Sequence, residues 1–574
     1  MALKLRSSAW FDTEDEIGFS HRASLRSQGF TREAFAGRPV IGICNSWSEL
    51  NNCNVHLRGL AEAVKRGVLA TGGFPLEFMT ISLGEELMMP TAMLYRNLMA
   101  MDVEEMIRSN PLDGVVLLCG CDKTTPAQLM GAASMDVPSI MVSGGPMLRG
   151  MWKNEELGSG TDLWKHWDER RAGRMSNEEW NEMEGCISRS PGHCMTMGTA
   201  STMTSIAEAL GMMLPGCASI PAADSRRQAM AEASGRRIVE MVKEELRPSR
   251  VLTPHAFENA IRLAVALGGS TNAVIHLVAV AGRLGFQIPL TQFDSLSRST
   301  PYIVNVQPSG KYLMEHLYYA GGVPAVMKEI LPLLHGEELT VTGKSIAENV
   351  ANARCFNRDV IRPLEEPLSK EGSLAVLFGN LAPNGAVIKT AAASPALLQH
   401  TGKAVVFENY QEMLARVDDP NLEADASSVL VLKNGGPVGA PGMPEWGQIP
   451  IPARLLKQAV QDMVRISDSR MSGTSFGTVV LHISPESAVG GPLAIVQTGD
   501  LIQLDVPRRR LDLLLPDETQ KRRLEQWRPS PPRYGRGFYR LFLEHVLQAH
   551  EGCDFDFLRA TPEDKPYEPQ IGRS

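Results

Sequence analysis

The N-terminal part of the chain alternates between continuously apolar runs and runs of helical period. The apolar runs PVIGICNSW, FPLEFMTISLG, DGVVLLCG and VPSIMVSGG predict buried β-strands. Between them lie HLRGLAEAVKRGVLATG, PTAMLYRNLMAMDVEEMIRSN and TPAQLMGAASM, which predict helices. Strands that are apolar on both faces and alternate with helices are typical of a parallel sheet. The pattern therefore predicts an α/β domain.

The pattern changes three times further along the chain. Residues 150 to 190 are charged and rich in Trp, which predicts an exposed helical excursion, and helices dominate from about 196 to 350. From about residue 372, short strand-like runs such as GKAVVFENY, SSVLVLKNGG and GDLIQLDV alternate with Gly/Pro turns. This spacing predicts a β-rich, barrel-like second domain. We expect the domains to span residues 1–372 and 373–574, with the tail after about 525 packing back or joining a subunit contact.

One apolar run has the length of a membrane span. LAVALGGSTNAVIHLVAVAG, from Leu263 to Gly282, approaches the roughly 20 residues that cross a bilayer. Polar residues and His276 lie in its middle, and such groups are costly in lipid, so we expect a buried core helix. The N-terminus carries no apolar signal region and turns acidic at once, so a cytoplasmic location is expected.

Composition limits the kinds of molecule that the protein is expected to bind. The 574 residues carry a net charge of −8, and the densest basic run, PRRRLDLLLPDETQKRR, is interrupted by acids and predicts a solvated hairpin. Neither feature favours nucleic acid as a partner. The nine cysteines are odd in number and follow no export signal, which disfavours a disulfide framework. Most of them are expected to be small buried hydrophobes.

Reactive side chains follow the predicted strands at the points where the strands end. Cys53 follows the first strand, Glu85 and Glu86 follow the second, and Cys121, Asp122 and Lys123 follow the third. Ligands of open parallel sheets bind beyond the carboxyl ends of the strands, so these groups are expected to converge. Asp122 and Glu85 suit Mg²⁺, although an ion pair with Lys123 and a helix N-terminal charge would explain them equally.

Three further loops carry candidate residues. Cys194 lies in SRSPGHCMTMGTAST, and with Cys53 and Cys121 it would give three thiols for one soft metal centre. Glu445 lies in KNGGPVGAPGMPEWG and Ser472 in SDSRMSGTSFGT, where turn chemistry alone would also explain the Gly and Ser residues. His193 and His276 are the nearest candidate bases, but core or capping roles are commoner for such residues. Thr125 and Pro126 are expected to start the helix after the third strand.

These motifs together resemble the dihydroxy-acid and sugar-acid dehydratase family. The resemblance rests on NSWSELNNCN, GCDKTTPAQLMGA, ALGGSTNAVIH, NLAPNGAVIK, GGPVGAPGMPE and DSRMSGTSFGT, which run in order from about residue 40 to 480. CDKTTPAQ, MLYRNLMAMD and YLMEHLYYAGGVPAV look most like the sugar-acid branch. The resemblance implies a hydro-lyase that converts an aldonate, such as L-arabinonate or D-xylonate, to the 2-keto-3-deoxy acid. It also implies a homodimer or homotetramer.

The resemblance further implies two metal groups and a base. Cys53, Cys121 and Cys194 would hold a [2Fe–2S] cluster, and Ser472 would be the base that takes the C2 proton. The implied Mg²⁺ ligands are Glu85, Asp122, Glu445 and a carbamylated Lys123. The spacing favours Glu85 over Glu86.

Other readings remain open. A branched-chain dihydroxy-acid dehydratase would use the same chemistry on an apolar substrate, and the sequence does not show the substrate pocket. An iron–sulfur redox or sensor protein would need a fourth cysteine ligand, and none is well placed. A nicotinamide dehydrogenase would show G-x-G-x-x-G after a strand, which is absent here.

Overall fold

The structure is a computed structural model that describes residues 5–531, 534–561, 564 and 567–572. The strands of these residues are β1 (Val40–Asn45), β2 (Phe74–Met79), β3 (Gly114–Cys119), β4 (Ser139–Ser143), β5 (Gly150–Trp152), β6 (Glu155–Leu157), β7 (Ala375–Leu377), β8 (Gly385–Ile388), β9 (Gln399–Phe407), β10 (Val429–Leu432), β11 (Arg465–Ser467), β12 (Val479–Ser484), β13 (Leu501–Asp505) and β14 (Arg510–Leu513).

The helices fall mostly between β4 and β7. They are α1 (Ser8–Phe11), α2 (Glu16–Ser27), α3 (Arg32–Phe35), α4 (Leu57–Ala70), α5 (Arg96–Ser109), α6 (Thr124–Met135), α7 (Thr161–Arg171), α8 (Asn177–Ile187), α9 (Thr199–Ala209), α10 (Ser225–Lys243), α11 (Pro248–Val251), α12 (Pro254–Ala266), α13 (Asn272–Arg283), α14 (Leu290–Arg298), α15 (Met314–Tyr319), α16 (Gly322–Glu329), α17 (Ile346–Val350), α18 (Tyr410–Arg416), α19 (Ala453–Lys457), α20 (Asp517–Gln526) and α21 (Gly537–His545).

The N-terminal sheet has four parallel strands in the order β2-β1-β3-β4, which confirms the predicted α/β domain. Every residue of β1, β3 and β4 is buried, so these strands carry apolar side chains on both faces. Helices α4 and α10 pack against each other over the sheet. Their backbones approach so closely that a Cβ added at Gly67 would lie 2.0 Å from the Glu232 carbonyl oxygen.

The apolar run from Leu263 to Gly282 forms two helices rather than the single one expected. α12 ends at Ala266 and α13 begins at Asn272. Gly268 lies between them with φ +73°, a backbone conformation that favours glycine and ends the helix. None of the helices in the described ranges combines the length and apolarity needed to cross a membrane.

The second domain contains an eight-stranded mixed sheet in the order β14-β13-β9-β10-β11-β12-β8-β7. A single bridge between Phe378 and Arg510 links its two edges, so the sheet is nearly closed, as the barrel-like prediction requires. The sequence pattern did not identify β11 or β14. The boundary at residue 372 stays a prediction; the first barrel strand begins at Ala375.

The remaining expectations are partly met. The excursion after β4 contains the β5–β6 hairpin as well as helices α7 and α8. The tail packs back onto the N-terminal domain, where the buried Arg96 donates hydrogen bonds to the Gly552 and Cys553 carbonyl oxygens, both at 2.9 Å. The helix after β3 begins at Thr124 rather than after Thr125, because Lys123 occupies the cap position.

Candidate active site

The predicted site residues come from the ends of parallel strands, from two barrel loops and, for Cys194, from the loop between α8 and α9. Cys53 follows β1, Glu85 follows β2, and the segment from Cys121 to Lys123 joins β3 to α6. Glu445 follows β10, and Ser472 follows β11. Since β1, β2 and β3 are adjacent and parallel, the residues that follow these three strands lie at one edge of the sheet.

Three carboxylates surround the Lys123 ammonium. Its Nζ lies 3.0 Å from Glu85 Oε2, 3.2 Å from Asp122 Oδ2 and 3.3 Å from Glu445 Oε1. One oxygen from each carboxylate lies within 4.8 Å of the others, a spacing that a single cation can bridge. The Lys123 side chain is fully buried. The neighbouring Glu86 is outside this set, so the geometry agrees with the preference for Glu85.

Arg470 and Asn272 hold the carboxylates in place. Arg470 is fully buried and donates to Glu445 Oε1 at 2.8 Å and to Thr91 Oγ1 at 3.1 Å. Thr91 Oγ1 in turn donates to Glu85 Oε1 at 2.6 Å. Asn272 Nδ2 donates to the same Glu445 oxygen at 3.0 Å. The sequence predictions give no role to Arg470, Asn272 or Thr91. The charged Arg inside the Gly/Ser-rich motif DSRMSGTSFGT is a sequence signal that could have indicated the role of Arg470.

The cluster shifts the pKa values of Glu85 and Glu445 in opposite directions. Burial opposes ionisation of Glu85, but Lys123 and Arg470 hold its pKa below the ordinary value. Burial raises the pKa of Glu445 despite the same two cations. Burial disfavours the Lys123 ammonium, but the surrounding carboxylates outweigh this effect and raise its pKa. Lys123 and Arg470 together therefore balance the negative charge of the carboxylates.

The three predicted thiols lie near the same carboxylates. A hydrogen bond with the Cys121 thiol, then burial, raises the pKa of Cys53 well above its ordinary value. Burial raises the pKa of Cys194, and the nearby charge of Asp122 adds to this effect. Among the residues that the structure describes, the three Sγ atoms do not all lie within 4.8 Å of one another.

Ser472 lies on a loop that is tied to the carboxylate cluster. Its Oγ is 2.8 Å from Thr474 Oγ1. Asn272 Nδ2, which binds Glu445, also lies 3.2 Å from the Met471 carbonyl oxygen. One amide group therefore connects the residue before Ser472 to the carboxylates.

His193 and His276 are not positioned as bases. Both are fully buried, and burial lowers the pKa of His193 to about 3 and that of His276 well below its ordinary value. His193 Nδ1 contacts the Cys194 carbonyl oxygen at 3.1 Å, and His276 Nδ1 accepts from Arg96 at 3.1 Å. Their surroundings agree with core roles.

The residues present fit the two implied metal groups. Glu85 Oε2 is buried and forms an ion pair with Lys123, but it makes no well-directed hydrogen bond, so it keeps a lone pair for a cation. Carboxylate oxygens are hard ligands that suit Mg²⁺. The three cysteine sulfurs are the soft ligands that iron–sulfur clusters use.

Comparison with known proteins identifies the family. The model of the dihydroxy-acid/6-phosphogluconate dehydratase N-terminal domain matches residues 38–349, and the C-terminal model matches residues 359–553. An L-arabinonate dehydratase of Rhizobium leguminosarum bv. trifolii is 54% identical over 97% of this chain and 96% of its own length. A 6-deoxy-6-sulfo-D-gluconate dehydratase of Pseudomonas putida is 51% identical over 97% of both chains.

A less similar relative is named a dihydroxy-acid dehydratase. A dihydroxy-acid dehydratase of Ignicoccus hospitalis is 41% identical over 94% of this chain and 98% of its own. The family models together cover both domains, and the relatives are matched over nearly their full lengths. The chain therefore belongs to the dihydroxy-acid/6-phosphogluconate dehydratase family and is a hydro-lyase.

Proposed function

We propose that this enzyme dehydrates a sugar acid, an aldonate such as L-arabinonate or D-xylonate, to the 2-keto-3-deoxy acid. The observation that carries the proposal is the junction at Asn272, whose side-chain amide contacts both Glu445 and the Met471 carbonyl. It joins a carboxylate cluster, whose oxygens suit Mg²⁺, to a loop that offers a hydroxyl base. The sugar-acid substrate is supported by the L-arabinonate and 6-deoxy-6-sulfo-D-gluconate dehydratases at 54% and 51% identity, against 41% for the relative named a dihydroxy-acid dehydratase.

Two metal groups complete the proposed site. Cys53, Cys121 and Cys194 would hold a [2Fe–2S] cluster. Mg²⁺ would be held by Glu85, Asp122, Glu445 and a carbamylated Lys123. When bound, the cluster would supply a Lewis acid for the C3 hydroxyl, and Mg²⁺ would supply positive charge for the substrate carboxylate and C2 oxygen.

Ser472 is the residue that we assign to removal of the C2 proton. A serine hydroxyl is a weak base and must be stabilised as an alkoxide. Thr474 Oγ1, 2.8 Å away, can donate a hydrogen bond to the deprotonated oxygen. The buried Arg470 adds fixed positive charge beside the loop. The Ser472 alkoxide takes the C2 proton as the C3–O bond breaks and a C2–C3 double bond forms. That proton passes to the departing C3 hydroxide, which leaves as water and restores the alkoxide. The enol then loses its C2 hydroxyl proton and gains a proton at C3, which gives the keto acid.

Carbamylation of Lys123 would resolve a conflict of charges. As an ammonium ion, Lys123 sits among the carboxylates and would repel a divalent cation. As a carbamate it would offer an anionic oxygen instead. Glu85, Asp122 and Glu445 would then bind the metal together with Lys123, instead of neutralising the Lys123 ammonium.

A substrate screen tests the proposal. Anaerobically purified holoenzyme is offered pentonates, hexonates, 6-deoxy-6-sulfo-D-gluconate and 2,3-dihydroxyisovalerate, and the 2-keto product is measured. We expect the highest kcat/KM on a pentonate or hexonate. A clear preference for 2,3-dihydroxyisovalerate would replace this proposal with the branched-chain alternative. Absence of keto acid from every substrate would contradict both.

We also propose that the enzyme acts in the cytoplasm as a homodimer or homotetramer. Leu50, Leu87 and Met89 are 74%, 70% and 68% exposed and lie close in sequence to Cys53 and Glu85. Apolar side chains this exposed are available for a subunit contact. Light scattering of the wild type and of Leu87→Glu measures the oligomeric state; a monomeric wild type would contradict the proposal.

A further inference from the structure

The turn Gly158–Thr161 contacts two loops that carry proposed site residues. It lies between β6 and the first residue of α7. On one side it meets the loop from Cys194 to Gly198, and on the other it meets the loop from Ser472 to Thr474. We call it the linking turn. No function has been assigned above to any of its residues.

Ser159 holds the Cys194 loop. The backbone N–H of Met195 donates to Ser159 Oγ at 3.2 Å, and the backbone N–H of Ser159 lies 2.9 Å from Met195 Sδ, so the turn holds the residue next to Cys194. The turn packs closely against the Cys194 loop, because a Cβ added at Gly158 would lie 2.6 Å from Thr196 Cγ2. Ser159 is only 8% exposed, so these bonds are shielded from water.

Thr161 and Gly160 hold the Ser472 loop. Thr161 Oγ1 donates to the Thr474 carbonyl oxygen at 2.7 Å, and the Thr161 side chain is fully buried. Gly160 has φ +73°, and a Cβ added there would lie 2.1 Å from Thr474 Oγ1. That same oxygen is 2.8 Å from Ser472 Oγ. The position of Thr474 therefore sets the surroundings of Ser472.

Dehydration acts on two adjacent carbons, so the groups that attack them must be held at a fixed separation. Ser472 would act at C2, and the thiol-bound group would act at C3. The two loops belong to different domains and are far apart in sequence. A misplacement of about 1 Å can lower a rate by about a hundredfold.

We propose that the linking turn fixes the Ser472 loop against the Cys194 loop, with Thr161 and Ser159 as positioning residues. This inference rests on the roles proposed above for Ser472 and Cys194. It adds a third segment to the site, one that touches both loops.

Thr161→Val tests the Ser472 side of the turn. The substitution keeps the shape of the side chain but removes the hydrogen bond to Thr474. With holoenzyme and its best aldonate, we expect kcat per iron to fall about ten- to a hundredfold while KM and iron content stay near wild type. Substrate deuterated at C2 should show an isotope effect at least as large as that of the wild type, because the proton-removal step is the one that slows. Thr161→Ser, which restores the hydroxyl, should recover kcat.

Ser159→Ala tests the Cys194 side by a measurement that does not depend on turnover. Hydrogen bonds to cluster sulfurs tune the reduction potential. Loss of the Ser159 hydroxyl frees the Met195 N–H beside Cys194 and should therefore change the potential of the bound cluster, whereas Thr161→Val should leave the potential unchanged.

Thr340→Val is the matched control. Thr340 is 3% exposed and its Oγ1 donates to the Lys344 carbonyl oxygen at 2.9 Å, in a loop away from both site loops. Its replacement should lower thermal stability without changing kcat per iron. A Thr161→Val enzyme with wild-type kcat per iron, or a Ser159→Ala enzyme with wild-type potential, would overturn the inference. If Ser472→Ala itself stays active, the proposed base is wrong; if it is inactive and Thr161→Val is not impaired, only the positioning role fails.

Discussion

Lys123 Nζ lies 3.3 Å from Glu445 Oε1, although the two residues are 322 positions apart. Lys123 caps the helix that follows the third strand of the parallel sheet, whereas Glu445 comes from a barrel loop. The contact therefore closes the candidate site across the two domains. It also places a buried ammonium where a divalent cation is proposed, which makes the chemical form of Lys123 the first question about the site.

Replacement of Lys123 distinguishes an ammonium from a carbamate. If Lys123 is a carbamate ligand, Lys123→Met should weaken Mg²⁺ binding by more than about tenfold, since even outer-shell partners of metal sites contribute about 10–100-fold. If it stays an ammonium, the same change removes a repelling charge and should tighten binding. Calorimetric titration of the iron-loaded protein with Mg²⁺ gives the sign. Lys433→Met, at a buried lysine that pairs with Glu408, should change nothing.

Ser472→Ala should retain iron and Mg²⁺ but lose turnover. Loss of a general base typically costs about 10²–10⁴-fold in rate. The measurement is kcat per iron on the preferred aldonate. Ser469→Ala is the control, because Ser469 is also buried near this loop but bonds Ser467 Oγ at 2.9 Å. An active Ser472→Ala enzyme would show that another group takes the proton.

Cys121→Ser should lose most of the roughly two irons per chain expected of a [2Fe–2S] protein, because a serine hydroxyl is a poor ligand for this cluster. Iron is counted per folded chain, with folding followed by circular dichroism. Cys119→Ala provides the control two residues away: Cys119 is buried on β3, where its Sγ lies 3.8 Å from the Val142 carbonyl oxygen. Full iron in Cys121→Ser would refute the ligand assignment.

Asp554→Asn should destabilise the packing of the tail. Asp554 and Arg283 form a bidentate ion pair, with contacts of 2.6 and 3.1 Å, and both side chains are almost completely buried. Removing one partner of a buried pair costs about 3–5 kcal/mol; Glu104, 3.3 Å from Arg283, should keep the loss near the lower value. Denaturant unfolding measures it. Glu544→Gln breaks the exposed pair with Arg540 and should have little effect on the free energy of unfolding, because solvent screens such a pair. Equal losses would contradict the prediction.

The sequence predicted the sheet-edge part of the site better than the rest. Cys53, Glu85 and Cys121 were placed together by a local rule, because parallel strands deliver the residues after them to one edge. Glu445 and Ser472 follow short barrel strands, and their approach to that edge depends on contacts between domains that no periodicity encodes. The sequence itself offered them only as loop residues that turn chemistry would also explain, and their roles as metal ligand and base came from the family resemblance.

The roles of the buried polar residues also could not be predicted from the sequence. Arg470 and Asn272 lie inside quoted motifs, yet only packing shows which polar side chains face the carboxylates. β11 has three residues, too few for a period to be recognised. The sequence does signal the break between α12 and α13, through Gly268 and Gly269. The prediction of a single helix instead followed the length of the apolar run.

Lys389 gives a prediction about stability and pH. It is 2% exposed at the end of β8, and its Nζ has no hydrogen-bond partner in the described part of the chain. Burial lowers the pKa of Lys389 from its ordinary 10.5 to about 7. Between these values the unfolded chain binds a proton that the folded chain does not, so the free energy of unfolding should rise with pH from about 7 to about 10. Below about pH 7 the full cost of a buried charge remains.

Lys389→Met should therefore stabilise the protein most at or below neutral pH. The gain should be of the order of a few kcal/mol near pH 6 and should shrink as pH approaches 10, because one unit of pKa shift corresponds to about 1.4 kcal/mol. Thermal unfolding of the iron-loaded enzyme across this range measures the difference between variant and wild type. Lys403→Met, at an exposed lysine of the neighbouring strand β9, should show no such pH-dependent difference. A Lys389→Met protein that is less stable at pH 6 would mean that the ammonium has a partner in the folded state.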